Sequence, residues 1–314
     1  MRLATFNLLS GRAMGAEAAD PDALRESVRA LDADVLALQE VDRLQARSGG
    51  VDQTALVADA MGAQAWRFVP ALVGTPGGSW RAARPEDEEV DGRGGHDPAA
   101  YGIALVSRYP VRTWRVVHLR PAPLMGPLVI RDLEERRKLI WVRDEPRTAV
   151  VAVLEGPHGP ITVANTHLSF VPRWNTAQLR RLVAALADAP RPHVLVGDLN
   201  MPRGLPRSLC RGWQMLANER TWPAGHPRVQ LDHILGRGTL PRVDRAYAVQ
   251  LPLSDHRALV VDFAGAHAAA DGSGDTSRDG RLSTGLHPGH DSRDDSQRIG
   301  GRHSAQAAAE SPSR

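Results

Sequence analysis

Leu195-Val196-Gly197-Asp198-Leu199-Asn200 is a short apolar run that stops at Asp-x-Asn. A buried strand that ends this way delivers a carboxylate and a side-chain amide from its tip. The two share a face, because residues i and i+2 of a strand point the same way. Together they suit a hard cation with a water or phosphate oxygen beside it. Asp-x-Asn also opens ordinary turns. The decision therefore rests on whether other strand ends repeat the pattern.

They do. The first strand, from Arg2, ends at Asn7. Asp34-Val35-Leu36-Ala37-Leu38-Gln39-Glu40 is an apolar run that ends in Glu40, and Ile161-Thr162-Val163-Ala164-Asn165-Thr166-His167 ends in His167. Val229-Gln230-Leu231-Asp232-His233-Ile234-Leu235 puts Asp232 inside an apolar strand. Ser254-Asp255-His256 precedes a final strand from Ala258 to Phe263. Buried charge is costly unless it is paired or metal-bound, so a recurrence of this kind points to one shared site.

The rest of the chain alternates strands with a few helices. Further β-type runs fall at 66–72, 102–107, 113–119 and 148–154. Asp20-Pro21 reads as an N-cap followed by proline in the first helical turn, with Leu24, Val28 and Leu31 on one face. A second helix begins near Asn175, with Leu179, Leu182, Val183 and Leu186 at helical spacing. A third is expected over 52–62. Many strands with few helices predict an α/β fold of two packed sheets covered by helices.

Residues 74–100, with Pro85-Glu86-Asp87-Glu88-Glu89 and Gly92-Arg93-Gly94-Gly95, read as a long polar surface loop. Residues 265–314 are rich in Gly, Ser, Asp, Arg and His and nearly neutral. They bury too little apolar surface to offset ordering, which predicts a catalytic domain over 1–264 and a disordered low-complexity tail.

Composition excludes several classes. Hydrophobic residues make up 42% of the 314, enough for a sizeable core. The formal net charge is only +3. Lys138 is the sole lysine, so the sequence pI of about 9.6 reflects arginine that does not titrate, and a strongly basic surface need not follow. Cys210 stands alone, which rules out an internal disulfide framework and fits a reducing compartment. No apolar run approaches the roughly 18 residues of a membrane helix, and the N-terminus lacks a signal-peptide pattern. A cytoplasmic monomer is expected.

The polar strand ends suit one chemistry. Glu40, Asp255 and Asn7 offer hard oxygen ligands, with Asp198 and Asn200 offering more. That set suits Mg²⁺ or Mn²⁺, whereas structural zinc would need a Cys/His quartet. Asp232 and His256 could form a carboxylate–imidazole pair that handles a proton. His167 and Asn200 could bind phosphoryl oxygens and stabilise developing charge. The sum is metal-assisted hydrolysis of a phosphate ester.

Several motifs now resemble the endonuclease/exonuclease/phosphatase superfamily, the DNase I-like and exonuclease III-like enzymes. They are Ala4-Thr5-Phe6-Asn7, Leu38-Gln39-Glu40-Val41, Tyr101-Gly102 through Ser107-Arg108-Tyr109-Pro110, Asn165-Thr166-His167-Leu168, Gly197-Asp198-Leu199-Asn200, Leu231-Asp232-His233-Ile234-Leu235 and Ser254-Asp255-His256. They stand in the family's order and cover about 1–264. The resemblance implies a four-layer α/β/β/α sandwich of two mixed sheets flanked by helices. It implies that Asn7, Glu40 and Asp255 hold the metal, with Glu40 the principal ligand. It implies that Asp198 orients or deprotonates the attacking water, with Asn200 beside it on the phosphate. His256, polarised by Asp232, would meet the scissile phosphate or its water, and His167 would meet the phosphate from the other side. Which group is the base, and whether one or two metals act, stay open. Arg147 matches a frequent family position near the site.

The motifs report phosphate-ester cleavage, while loops choose the substrate. The expectation is a Mg²⁺-dependent endonuclease or phosphodiesterase, with DNA as a possible partner. The alternative is a phosphomonoesterase or lipid-headgroup phosphodiesterase on the same core. A non-catalytic binding module would need missing ligands, and every expected acid, amide and imidazole is present. Candidate groups for a duplex-binding face are Arg131, Arg136, Arg137, Lys138, Arg143, Arg147, Arg173, Arg180, Arg181, Arg203, Arg207 and Arg211.

Overall fold

The computed structural model describes residues 1–88, 98–123, 125–131 and 137–265. The chain begins β1 (Arg2–Asn7), α1 (Pro21–Leu31), β2 (Val35–Arg43), α2 (Gln53–Met61), β3 (Ala65–Gly74) and β4 (Trp80–Ala82). It continues β5 (Ala100–Ser107), β6 (Val111–Leu119), β7 (Met125–Arg131), β8 (Arg137–Arg143), β9 (Arg147–Gly156) and β10 (Gly159–His167). It closes with α3 (Trp174–Ala185), β11 (His193–Asp198), α4 (Leu205–Leu209), β12 (Gln214–Met215), β13 (Asp232–Arg237), β14 (Val243–Val249) and β15 (Ala258–Phe263).

Two mixed sheets form the frame. One has strand order β14-β15-β1-β2-β5-β3-β4 and the other β12-β13-β11-β10-β9-β6. Strand alternation sorts side chains into three apolar layers. Leu3, Val35, Ala37 and Val261 face Val150, Val163, Val194 and Val196 between the sheets. Ala4, Phe6, Leu36 and Leu38 point the other way, onto Leu24, Val28, Leu56 and Val57 of α1 and α2. Ala164, Leu195 and Leu235 cover the outer face of the second sheet with Leu179 and Leu182 of α3. The expected four-layer α/β/β/α sandwich is therefore present.

The first two helices start at capping carboxylates. The Asp20 carboxylate accepts from the backbone N–H of Asp22 and Ala23, and Asp52 does the same for Thr54 and Ala55. Each satisfies donors that a first turn leaves free.

Several differences from expectation stand out. Part of the segment read as a surface loop is sheet: β4 pairs with β3 from Leu72↔Ala82 to Gly74↔Trp80. The hairpin β7–β8 and the strand β14 were not anticipated. The expected tail lies outside the described residues, apart from Gly265. No helix of the described residues is long and apolar enough to cross a membrane.

Candidate active site

Three strands of the second sheet set three polar side chains in a row. His167, Asp198 and Asp232 are successive register partners across β10, β11 and β13. Each continues the face that carries Val163, Val196 and Ile234 into the layer between the sheets. Gly197 permits this close approach. Its φ is +135°, and a Cβ there would lie 1.9 Å from the Thr166 carbonyl oxygen. Asp232 opens β13 rather than sitting inside a strand, which corrects the sequence expectation.

Glu40 reaches the same space by a break in alternation. The β2–β5 register runs Leu38↔Ala104 and then Val41↔Gly102, so β2 carries one extra residue. Leu38 and Val41 both pack outward, in the layer beneath α1 and α2. The strand continues to Arg43, so Glu40 lies on a bulge and not at a strand end, contrary to expectation. Its φ is +53°, a conformation that costs a residue with a Cβ on the order of 1–2 kcal/mol. Bulges next to active sites re-aim a side chain in this way.

The two sheets meet through hydrogen bonds. Asn7 Nδ2 donates to Glu40 Oε1 at 3.0 Å and to Asp198 Oδ2 at 3.1 Å. Asn7 Oδ1 accepts from the Leu9 N–H at 3.1 Å. The amide thus offers a donor to both carboxylates, and ligation by Asn7 would draw on the second lone pair of Oδ1. His256 Nδ1 lies 2.8 Å from Asp232 Oδ2, and His256 Nε2 lies 3.8 Å from Asp198 Oδ2. Asp198 Oδ1 accepts from the Asn200 N–H at 2.9 Å. Asn200 Nδ2 donates to the Leu168 carbonyl at 2.9 Å and lies 3.2 Å from His167 Nε2. That orientation makes His167 Nε2 an acceptor and assigns the ring proton to Nδ1. His167 Nε2 is 3.5 Å from Asp198 Oδ2.

Burial and neighbouring charge then set protonation. Burial, reinforced by Asp232, pushes Asp198 up to about 7. Burial pulls His256 down, but the Asp232 charge and hydrogen bond outweigh it and hold the ring up at about 10. Burial, then the Arg147 and His256 charges, holds His167 well below the ordinary imidazole range. Burial and then the Asp255 carboxylate raise Glu40. Near pH 7 the site holds a carboxyl at its midpoint, an imidazolium and a neutral imidazole.

Asp255 sits at the half-exposed rim. Its Oδ2 accepts from Trp222 Nε1 at 3.0 Å, a partner outside the residues that the sequence singled out. Four further residues were missed. Ser254 Oγ donates to the Asn7 carbonyl at 2.6 Å and accepts from the His256 N–H at 3.0 Å, tying the end of β1 to the histidine. Asn175 Nδ2 donates to the Asn200 carbonyl at 2.9 Å. Asn165 and Gln39 form a bridge between the sheets. Ser254, Gln39 and Asn165 each had a local signal, a place in a motif beside Asp255, Glu40 or His167.

Arg147 is buried, with Nη2 3.6 Å from Asp144 Oδ1, so it belongs to the floor of the site rather than to a surface patch. Arg108 lies away from the site, donating to the Met61 carbonyl and pairing with Asp32. Of the arginine-rich face, the side chains of Arg131, Arg136, Arg137 and Lys138 fall outside the described residues.

The profile of the Endonuclease/Exonuclease/phosphatase family matches residues 4–256, and the chain belongs to that family, a class of phosphoester hydrolases. Similar folds occur among solved structures. An endonuclease/exonuclease/phosphatase from Beutenbergia cavernae is 21% identical with a TM-score of 0.57, over 83% of this chain and 70% of that one. A functionally unknown conserved protein from Enterococcus faecalis is 17% identical with a TM-score of 0.56, over 84% and 100%. Sphingomyelinase C from Streptomyces griseocarneus is 16% identical with a TM-score of 0.50, over 83% and 98%. Comparison with curated proteins gives no match.

Proposed function

We propose that this chain is a divalent-cation-dependent hydrolase of phosphate esters, acting as an endonuclease or phosphodiesterase. The observation that carries the reading is the surroundings of Asp198. This buried carboxyl, held near 7, touches Asn7 from one sheet and faces His167 and His256 within 4 Å. A carboxylate poised near neutral pH is matched to taking a proton from water. The hydroxide oxygen then attacks phosphorus while the proton stays on Asp198. The His256 imidazolium, anchored by Asp232, is placed to donate from Nε2 to a phosphoryl oxygen or to the departing alkoxide. Neutral His167 walls Asp198 without pairing its charge, and Asn200 holds both by backbone and side chain.

The donor set fits a hard cation. Glu40 and Asp255 bring carboxylates toward one another at the rim, and their repulsion helps to raise Glu40. A cation between them would relieve it. Mg²⁺ or Mn²⁺ held by Glu40 and Asp255, with Asn7 beside them, would supply Lewis-acid neutralisation of charge on the phosphoryl oxygens. Among the described residues, ligand atoms of Asp198, Asp232 and His256 also lie within 4.8 Å of one another. That trio suits proton handling better, because His256 is engaged by Asp232 and held protonated, and a metal ligand must be a neutral imidazole.

The test is a panel with the purified full-length chain, with and without Mg²⁺ or Mn²⁺: supercoiled plasmid, abasic duplex, inositol phosphates and phospholipid vesicles. Plasmid nicking or duplex cleavage supports the nuclease reading. Phosphate release from inositol phosphates, or headgroup release, moves the activity to the phosphomonoesterase or lipid alternative. No cleavage of any substrate with either metal overturns the proposal.

A further inference from the structure

Asn165 is buried between the sheets, two residues before His167 on β10 and on the same face. An amide in an otherwise apolar layer needs every hydrogen bond satisfied. Its partners are specific. Nδ2 donates to the Leu38 carbonyl at 2.9 Å and to the Ala104 carbonyl at 2.8 Å. Leu38 and Ala104 are the last register partners of β2 and β5 before the bulge. Oδ1 accepts from Gln39 Nε2 at 2.7 Å, and Gln39 is in turn bonded to Thr5 Oγ1 at 3.0 Å. One side chain of the second sheet therefore clasps both strands of the first where the ladder slips, and grips the residue next to Glu40.

The bulge is what aims Glu40. A regular β2 would send Glu40 to the outer face, beneath α1 and α2, because Leu38 points there and side chains two apart share a face. The left-handed backbone at Glu40 is unfavourable by itself and persists only when its surroundings over-determine it. Asn165 is a polar group across the interface that bonds both strands at that point.

We propose that Asn165 is a positioning residue that locks the β2 bulge and so sets the affinity of the site for its divalent cation, although it is placed to touch neither cation nor substrate. This rests on the reading of Glu40 as a metal ligand. The clasp also couples the sheet that supplies Glu40 to the strand that supplies His167.

The experiment is Mn²⁺ binding to the metal-free full-length protein, by titration calorimetry and by electron paramagnetic resonance of free Mn²⁺. It compares wild type, Glu40→Gln, Asn165→Ser and the double variant. Loss of a group that orients a ligand typically weakens metal binding 10–100-fold. Asn165→Ser is expected to weaken Mn²⁺ binding by about tenfold or more, with no further loss when added to Glu40→Gln, since it acts through Glu40. Gln39→Met, which removes the donor to Asn165 Oδ1 and the bonds to Thr5 but leaves both Asn165 Nδ2 bonds, should shift binding the same way by less, and it serves if Asn165→Ser does not fold. Wild-type affinity in a folded Asn165→Ser protein, or in Gln39→Met if only that variant folds, overturns the proposal. So do independent, additive losses in the double variant. Wild-type affinity in Glu40→Gln instead overturns the metal assignment, and the positioning role with it.

Discussion

His256 Nδ1 lies 2.8 Å from Asp232 Oδ2 at the start of β13. The other Asp232 oxygen has no hydrogen-bond partner among the described residues, so the pair leans on its shared proton. Asp232→Asn keeps the shape and removes the charge that holds His256 near 10. The His256 pKa is predicted to fall, and kcat by about 10²-fold or more. NMR titration of the His256 ring checks the first and steady-state kinetics the second. An unmoved pKa would refute the pairing.

Asp198→Asn removes the proposed base. The predicted loss in kcat is about 10²–10⁴-fold. Stability should move the other way. The folded-state value near 7 lies above the ordinary 3.8, so ionisation disfavours the native state as pH rises from about 4 through 7. An asparagine cannot ionise. Above pH 7 the variant should therefore melt no lower than wild type, each kcal/mol relieved raising Tm by about 2–4 °C in a domain of this size. A clearly lower Tm at pH 8 would contradict the assigned burial penalty.

The pH–rate profile has a predicted shape. Activity should rise as Asp198 deprotonates through about 7 and fall as His256 loses its proton near 10. In Asp232→Asn the alkaline limb should move to lower pH. An alkaline limb that stays put in that variant would remove His256 from the proton chemistry.

Gly197→Ala tests the geometry behind the site. The added Cβ would meet the Thr166 carbonyl oxygen at 1.9 Å, from a backbone at φ +135°. Both the contact and the angle oppose any side chain. Urea unfolding should show a loss of about 3 kcal/mol or more. Wild-type stability would show that β10 and β11 do not approach so closely.

The apolar strand runs and the Asp20 cap were legible because each is a local pattern. Asp20 caps where a first turn requires it, and Leu179 and Leu182 face the sheet as their spacing predicts. Polar strand ends also drew notice to Asn7, His167, Asp198, Asp232 and His256, which the fold brings together. The bulge at Glu40 was not legible, since an inserted residue has no period of its own and shows only against the partner strand. β14 escaped because its residues are mostly half-exposed, which blurs the alternation. The Asn165–Gln39 and Trp222–Asp255 bonds join residues far apart in sequence, where no local spacing signals a partner.

The most direct measurement is release of p-nitrophenol from bis-p-nitrophenyl phosphate by the purified full-length chain in Mg²⁺, followed by addition of EDTA and then excess Mg²⁺. The predicted result is turnover that falls to background in EDTA and returns with the metal. Full turnover in EDTA would contradict the account.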